Sequence, residues 1–314
     1  MIQSKWTSKP SMTSEALKGH LSVGAAYIIF GLNLVFCKDI ANAEAVPPIV
    51  LFTFRAIGAT AIFWILSLFM PRERIQKGDM WKIAIASFFG LFLTQFSFLW
   101  AITMVTAIDA AILGILGPIF TMLFAYLFLK EPITGKKAGG VAISFAGVIF
   151  LIFNTVHGGG ASATSPFGVV LLLVNSLSFS LYLGVFRPLI SKYSVVTFMK
   201  WMFLFSLLMS LPFSMRGLLT TDYAAIQPKV LWEIAYLIVF ATFFAYFLIP
   251  YGQKRIRPTL VSMYSYVQPI IATVISIWVG LDAITWQKVV AATLIVGGVI
   301  LVNNSRAAKT IPKP

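Results

Sequence analysis

From Leu21 to Val302 this chain is an almost unbroken succession of apolar runs, and nothing else in it narrows the possible folds so far. A helix needs about 20 mainly apolar residues to cross a hydrocarbon core roughly 30 Å thick. Ten runs approach that length, at about 20–37, 47–70, 82–102, 106–129, 137–153, 167–186, 195–214, 231–252, 258–280 and 286–303. They are continuous, whereas a barrel strand alternates apolar and polar residues over about ten positions. Lipid offers no partner to a free backbone N–H or C=O, so the spanning element must be helical. The expected fold class is an all-α integral membrane protein with ten transmembrane helices. Composition agrees, since 59% of the 314 residues are hydrophobic and 11% charged, against roughly a quarter charged in a soluble domain.

The net charge of +14 raises the question of nucleic acid, and the positions of the cations answer it. They fall in alternate loops. With the N-terminus inside, the inner segments hold 18 Lys and Arg: Lys5, Lys9, Lys18, the four from Arg72 to Lys82, Lys130, Lys136, Lys137, Arg187, Lys192, the three from Lys254 to Arg257, and Arg306, Lys309 and Lys313. The outer segments hold 4, namely Lys38, Arg216, Lys229 and Lys288, while Arg55 and Lys200 fall within helices. This asymmetry orients helices in a membrane and predicts that both termini are cytoplasmic. The expected partners are anionic membrane lipids and a small-molecule substrate, with no nucleic acid.

The basic N-terminus, the apolar run from Leu21 to Phe36 and Ala41-Asn42-Ala43 imitate a cleavable signal peptide. Cleavage would spoil the charge parity and remove a helix from the repeat described next, so the segment is read as the first spanning helix. One cysteine, Cys37, and two histidines, His20 and His157, leave no internal disulfide and no metal-ligand cluster, so neither a metal nor another cofactor is expected.

Sliding the chain against itself by 151 residues, the distance from Pro118 to Pro269, also superposes Ile133-Thr134 on Ile284-Thr285, Lys137 on Lys288 and Gly147-Val148-Ile149 on Gly298-Val299-Ile300. Glu131 then meets Asp282. Gly19 and Gly168 each open a helix at the front of a half, and Gly158-Gly159-Gly160 marks a linker between the halves. The expected organisation is a cytoplasmic tail 1–19, a five-helix repeat 20–153, an outer linker 154–166, a second five-helix repeat 167–303 and a cytoplasmic tail 304–314. Five is odd, so the second repeat must enter from the opposite side. Inverted repeats of this kind typify secondary transporters, whose substrate site lies between the repeats near the bilayer midplane.

Phe30-Gly31-Leu32-Asn33, Arg55, Pro118, and Leu129-Lys130-Glu131-Pro132-Ile133-Thr134 followed by Gly140 and Gly147 form a pattern that resembles the EamA family of the drug/metabolite transporter superfamily. The likeness covers almost the whole chain in both halves. The second half departs from it at Leu281-Asp282-Ala283, where Lys130-Glu131-Pro132 stands in the first. The resemblance implies a ten-helix carrier in a bacterial-type inner membrane, with a central cavity lined mainly by helices 1, 3, 4, 6, 8 and 9, often exporting amino acids or similar metabolites. Substrate identity does not carry over.

Polar side chains deep in lipid are costly, so each is a candidate for function or for an interhelix hydrogen bond. Asn33, Gln95 and Gln268 fall near the middle of helices 1, 3 and 9 and are the leading substrate-binding candidates. Tyr264 is four residues from Gln268, and Asn175 and Tyr182 lie along one stripe of helix 6. Trp100 and Tyr246 extend this aromatic and amide wall, which suits a neutral or zwitterionic guest. Arg55 sits about eight residues into helix 2, where it can meet a carboxylate or tether to a carbonyl; Lys200 is expected to snorkel. Asp109 is the candidate for proton or sodium coupling, although Thr106-x-x-Asp109 also reads as a helix cap. Gly114, Gly117, Pro118 and Pro269 remove side chains and a backbone donor at mid-membrane depth, marking helices 4 and 9 as gating elements.

No nucleophile with its base and no cluster of acids suggests an enzyme. The sequence therefore points to a secondary transporter that moves a small metabolite by alternating access, in the export direction. A channel or a non-transporting sensor or scaffold is the alternative.

Overall fold

Every regular element among the described residues is helical. The computed structural model describes residues 14–129, 134–157, 164–256 and 258–303. The elements are α1 (Ser14–Asn42), α2 (Pro48–Leu68), α3 (Lys77–Ile102), α4 (Ala107–Gly114 and Gly117–Leu129), α5 (Gly135–His157), α6 (Pro166–Val185), α7 (Val195–Thr220), α8 (Pro228–Gln253), α9 (Pro258–Met263 and Val267–Val279) and α10 (Trp286–Asn303). A short helix, Arg187–Lys192, joins α6 to α7. Seven of these, α1 to α4 and α6 to α8, are long and apolar enough to cross a membrane, and α9 and α10 include shorter apolar helices. The residues 130–133 and 158–163, which hold the Glu131 turn and the triple glycine, lie outside the described residues.

Local chemistry sets the helix starts. Proline, which lacks the N–H that a first turn cannot satisfy, opens α2, α6, α8 and α9. Thr106 and Ser194 cap α4 and α7 by accepting from the backbone N–H three residues on. α1 outruns its expected span of 20–37 at both ends. Hydropathy marks the lipid slab, and a helix continues into water wherever its side chains pair, as Lys18 does with Glu15 at 2.7 Å.

The packing repeats itself. α5 lies along α10 and α2 along α7; α1 packs on α8 and α9 as α6 packs on α3 and α4; α2 meets α8 as α7 meets α3. Exchanging every helix for the one five places away maps this set of contacts onto itself. The irregularities correspond too. α3 widens into a π-turn at Phe88–Leu93 and α8 at Leu237–Phe244. In each turn a threonine hydroxyl donates to the carbonyl five residues back, Thr94 to Phe89 and Thr242 to Leu237, both at 2.6 Å. α4 breaks at Ile115 and Leu116, and α9 passes through a 3-10 turn at Tyr264–Tyr266.

Small residues let these helices touch. A Cβ on Gly140 would stand 2.5 Å from the Gly298 carbonyl oxygen, and one on Gly147 would stand 3.0 Å from that of Ala291. The Ser144 hydroxyl donates to the Ile295 carbonyl at 3.1 Å across the same seam. The faint echo of Gly19 and Gly168 has its reason here: Gly19 abuts Arg255 and Ile256 after α8, and Gly168 abuts Met104 and Val105 after α3. Close backbone approach is how helices associate where lipid removes any hydrophobic drive between them.

Charged groups collect at two ends. At one, Arg255 pairs with Glu15 at 2.8 Å, and Asp79 gathers Lys82, Lys192 and the Tyr193 hydroxyl. That pairing with Asp79 holds the Lys192 ammonium above its ordinary value, while burial lowers that of Lys254. At the other, Lys38 donates to the Ile102 carbonyl, Lys229 pairs with Asp39, and Asp282 accepts from Lys288 at 2.5 Å and from the Ile108 N–H at 3.1 Å. Among the described residues, contacts thus join segments that the charge asymmetry assigned to the same side, Glu15 with Arg255 and Asp79 with Lys192 at one end, and Asp39 with Lys229 at the other. Gly280, at φ +77°, ends α9 in the left-handed conformation that only glycine adopts at no cost, and so turns Asp282 toward α4.

Candidate functional site

A cavity of about 840 Å³, its mouth included, opens where six helices meet. α1 contributes Asn33, α3 Gln95, α4 Gly114 and Gly117, α6 Asn175, α8 Tyr246 and α9 Gln268. Both halves supply its walls, and the set of lining helices, α1, α3, α4, α6, α8 and α9, is the one implied by the family resemblance.

The cavity is built on the two helix irregularities. The π-turn of α3 leaves backbone carbonyls without their usual partners, and side chains replace them: Ser178 donates to Phe89 O at 2.8 Å and the Asn175 amide to Thr94 O at 2.8 Å. Gln95 follows directly and donates through Nε2 to the Tyr246 hydroxyl at 2.7 Å. Just past the break in α4, Gly117 O accepts from the Ser180 and Thr121 hydroxyls, each at 3.0 Å. Gly114 faces Gln268, whose Oε1 would lie 3.5 Å from a Cβ placed there. The opening thus exists where α4 has shed its side chains.

The cavity wall is largely apolar and carries polar groups but no charged side chain among its lining residues. Four amides, the Tyr27 and Tyr246 hydroxyls and the small hydroxyls of Thr94, Ser176, Ser180 and Ser265 stand among Phe30, Phe98 and Phe179. Amides and hydroxyls both donate and accept. Such a lining can hold a small solute bearing both kinds of group.

The structure therefore brings Asn33, Gln95, Asn175, Tyr246, Gln268, Gly114 and Gly117 together, and places the other candidates elsewhere. Trp100 does not line the cavity; it is 40% exposed and packs edge-on against Phe96 and Phe167. At about 100° per residue it points roughly 140° away from Gln95. Tyr182 is buried with its ring against Gly90, beneath α3 and off the cavity wall. Tyr264 is not among the lining residues; it lies in the 3-10 turn Tyr264–Tyr266, which interrupts the α-helical spacing to Gln268. Its hydroxyl bonds His20 Nδ1 at 2.8 Å instead. Pro118 and Pro269 border the bends but are not among the lining residues.

Arg55 is fully buried behind the wall. Its Nε donates to Thr242 Oγ1 at 2.8 Å and one terminal nitrogen lies 3.8 Å from Cys37 Sγ, which itself contacts Asn33 Oδ1 at 3.7 Å. Asp109 sits in the cap of α4, where its N–H donates to Thr106 Oγ1 at 3.2 Å and its carboxylate accepts from Thr164. Lys200 lies over the Trp64 ring at 5.1 Å. The residues that the sequence reading missed are the small hydroxyls, above all Ser176 and Ser180. Their signal was present as the alternation Ser176, Ser178, Ser180, but a serine in a membrane helix is usually satisfied by its own backbone.

The chain is 23% identical over 300 residues to the uncharacterized transporter YetK of Bacillus subtilis, covering 92% of this chain and 88% of that one. An uncharacterized transporter of Clostridium kluyveri is 23% identical over 305 residues, covering 94% and 96%. The uncharacterized inner membrane transporter YedA of Escherichia coli is 27% identical over 207 residues, covering 62% and 60%. A protein of known crystal structure, 19% identical, shares the fold with a TM-score of 0.61 over 93% of this chain and 96% of that one. The model of the EamA-like transporter family matches twice in tandem, at residues 17–153 and 166–304. The protein is a membrane transporter and belongs to the EamA-like transporter family.

Proposed function

We propose that the protein is a secondary carrier that moves a small neutral or zwitterionic solute, such as an amino acid, out of the cell by alternating access. Ten helices cross the bacterial inner membrane with both termini in the cytoplasm, as two five-helix repeats of opposite orientation. The observation that carries this reading is the cavity shared between the halves, an apolar wall set with amides and hydroxyls and with no charged side chain among the lining residues. The self-mapping helix contacts and the paired bends in α3 and α8 and in α4 and α9 support the two-fold relation. Rocking one half on the other would expose the cavity to each side in turn. Asn33, Gln95, Asn175, Tyr246 and Gln268 are the binding groups, and the bends beside Gly114, Gly117, Pro118 and Pro269 are where α4 and α9 flex. The excess of cations on one side gives the orientation.

Counterflow tests this directly. Proteoliposomes preloaded with a mixture of unlabelled neutral amino acids should accumulate a labelled one transiently, and Asn33→Ala, Gln95→Ala and Gln268→Ala should each raise the half-saturating concentration about tenfold. Equal affinity in all three variants would remove the cavity as the binding site. Flux without counterflow would show a channel.

A further inference from the structure

Arg55 lies within α2, 1% exposed, and among the described residues no carboxylate pairs with it. A guanidinium brings five N–H donors and a charge that it does not give up. Here Nε donates to Thr242 Oγ1 at 2.8 Å, and one terminal nitrogen, Nη1, donates to Cys37 Sγ at 3.8 Å. The other, Nη2, is buried and has no acceptor. Asp39, near the end of α1, and Glu233, early in α8, go to Lys229 instead. A buried ion without a counter-charge is costly, and a tether to Thr242 alone asks for no charge.

The charge lies close behind the cavity. The Cys37 thiol donates to Asn33 Oδ1 at 3.7 Å, and Asn33 lines the wall. With contacts of 3.8 Å and 3.7 Å laid end to end, Nη1 and the Asn33 oxygen are at most 7.5 Å apart. The chain has a direction. Arg55 only donates, Cys37 accepts from it and donates onward, and Asn33 accepts through its oxygen, which leaves the Asn33 NH2 group for the cavity. On the other side Thr242 stands four residues before Tyr246, another wall residue. A unit charge at this range acts strongly where water is scarce, and no lining residue carries a charge to cancel it.

We propose that Arg55 is a specificity-determining residue which, through Cys37 and Asn33, makes the cavity select solutes that bear a single carboxylate. The guanidinium supplies the positive potential and the Asn33 NH2 group the hydrogen bond. Gln95 and Asn175 spend their amide nitrogens on the Tyr246 hydroxyl and Thr94 O, so their oxygens remain as acceptors for an ammonium or amide elsewhere on the solute. One cation balances one carboxylate. A dianion would leave a net charge in the cavity, and an amine without a carboxyl would add to the charge already there. The solute class is therefore a zwitterion or a monocarboxylate. That class rests on the carrier reading; the potential that Arg55 sets in the cavity does not.

Two measurements on the full-length protein in lipid test this. The first needs no solute. Ser176→Cys puts a thiol in the cavity wall, and its modification is timed with two methanethiosulfonates, the anionic sulfonatoethyl and the cationic trimethylammonioethyl reagent, with the protein lacking that substitution as the blank for Cys37. The ratio of the two rates reads the potential, and loosening of the fold moves both rates together. Arg55→Gln should shift the ratio about tenfold toward the cationic reagent, and Arg55→Lys should leave it within about twofold. The second is thermal-shift titration with leucine and with leucinamide, which lacks the carboxylate. The wild type and Arg55→Lys should bind leucine at least about tenfold more tightly than leucinamide, and Arg55→Gln should lose that preference. If Arg55→Gln fails to fold, Cys37→Asp, which sets a carboxylate beside the guanidinium, should collapse both ratios in the same way.

A rate ratio that loss of the Arg55 charge does not move, or an undiminished preference for leucine in that variant, would overturn the proposal. An Arg55-dependent rate ratio with no binding of either compound would sink amino-acid carriage and leave the potential standing. Leucine counterflow with a rate ratio indifferent to Arg55 would keep the carrier and sink this proposal.

Discussion

The contact between α5 and α10 allows a paired test of how this bundle is held together. Gly297 and Gly298 are neighbours on α10, yet the first is exposed with nothing within 4 Å of an added Cβ, and the second is buried against α5. An alanine Cβ at 298 would overlap the Gly140 carbonyl oxygen and Ser144 Oγ and stand 2.7 Å from the Ser144 backbone nitrogen. Two of those three atoms are backbone and cannot swing away, so the helices must part. Overpacking of this kind costs about 1–3 kcal/mol. Parting also stretches the bond from Ser144 to Ile295 O, worth roughly 0.6 kcal/mol in a membrane protein. Against this, alanine favours the helix over glycine by about 1 kcal/mol. Gly298→Ala should therefore destabilise the protein by about 0.6–2.6 kcal/mol, while Gly297→Ala, which gains propensity and meets no obstacle, should stabilise it by up to about 1 kcal/mol. Reversible unfolding in mixed micelles measures both. Equal stabilities for the two variants would refute the claim that close backbone approach sets this interface.

Three further outcomes follow from the geometry. Arg55→Ala removes a buried side chain and deprives Thr242 and Cys37 of a partner, and should cost about 2–4 kcal/mol; Lys200→Ala should lose no more than about 1 kcal/mol of cation–π contact. Denaturation curves of the two would show the contrast, and comparable losses would argue against a structural burial of Arg55. Tyr246→Phe leaves the Gln95 amide without its hydroxyl and should weaken solute binding, whereas Trp100→Ala, on the outer surface, should leave affinity unchanged; counterflow reads both. Burial alone would raise the Glu73 carboxyl, but the hydrogen bonds from Ser194 outweigh it and hold the group below its ordinary value of 4.5. Such a group stabilises the folded state above its unfolded value, and the contribution is lost as pH falls through the lower folded one. Wild type and Glu73→Gln should therefore differ in thermal stability at pH 7 and converge in acid.

Much of the site was legible in the sequence because lipid makes each polar residue conspicuous. Asn33, Gln95, Asn175, Tyr246 and Gln268 stood out as polar or aromatic positions in apolar runs, and the structure gathers them on one cavity. The misplacements have more than one cause. The four-residue spacing of Tyr264 and Gln268 runs through a 3-10 turn that the sequence pattern does not reveal, and Trp100 has the right residue type at the wrong helical angle. Asp109 is conspicuous as the acid nearest a helix interior, whereas nothing along the chain links Asp39 to Glu233, and only packing brings both to Lys229.

The sequence by itself determined the class of fold, the repeat and the grouping of charged loops, since these depend on hydropathy, on spacing along the chain and on the count of cations, all of them one-dimensional. Which residues face the cavity, where α3, α4, α8 and α9 depart from regular helix, and which buried groups lack a partner were decided by tertiary packing alone. A helix presents residues according to its rotation against its neighbours, and that rotation is fixed by contacts such as Gly140 with Gly298 and Tyr182 with Gly90, between positions far apart in the chain.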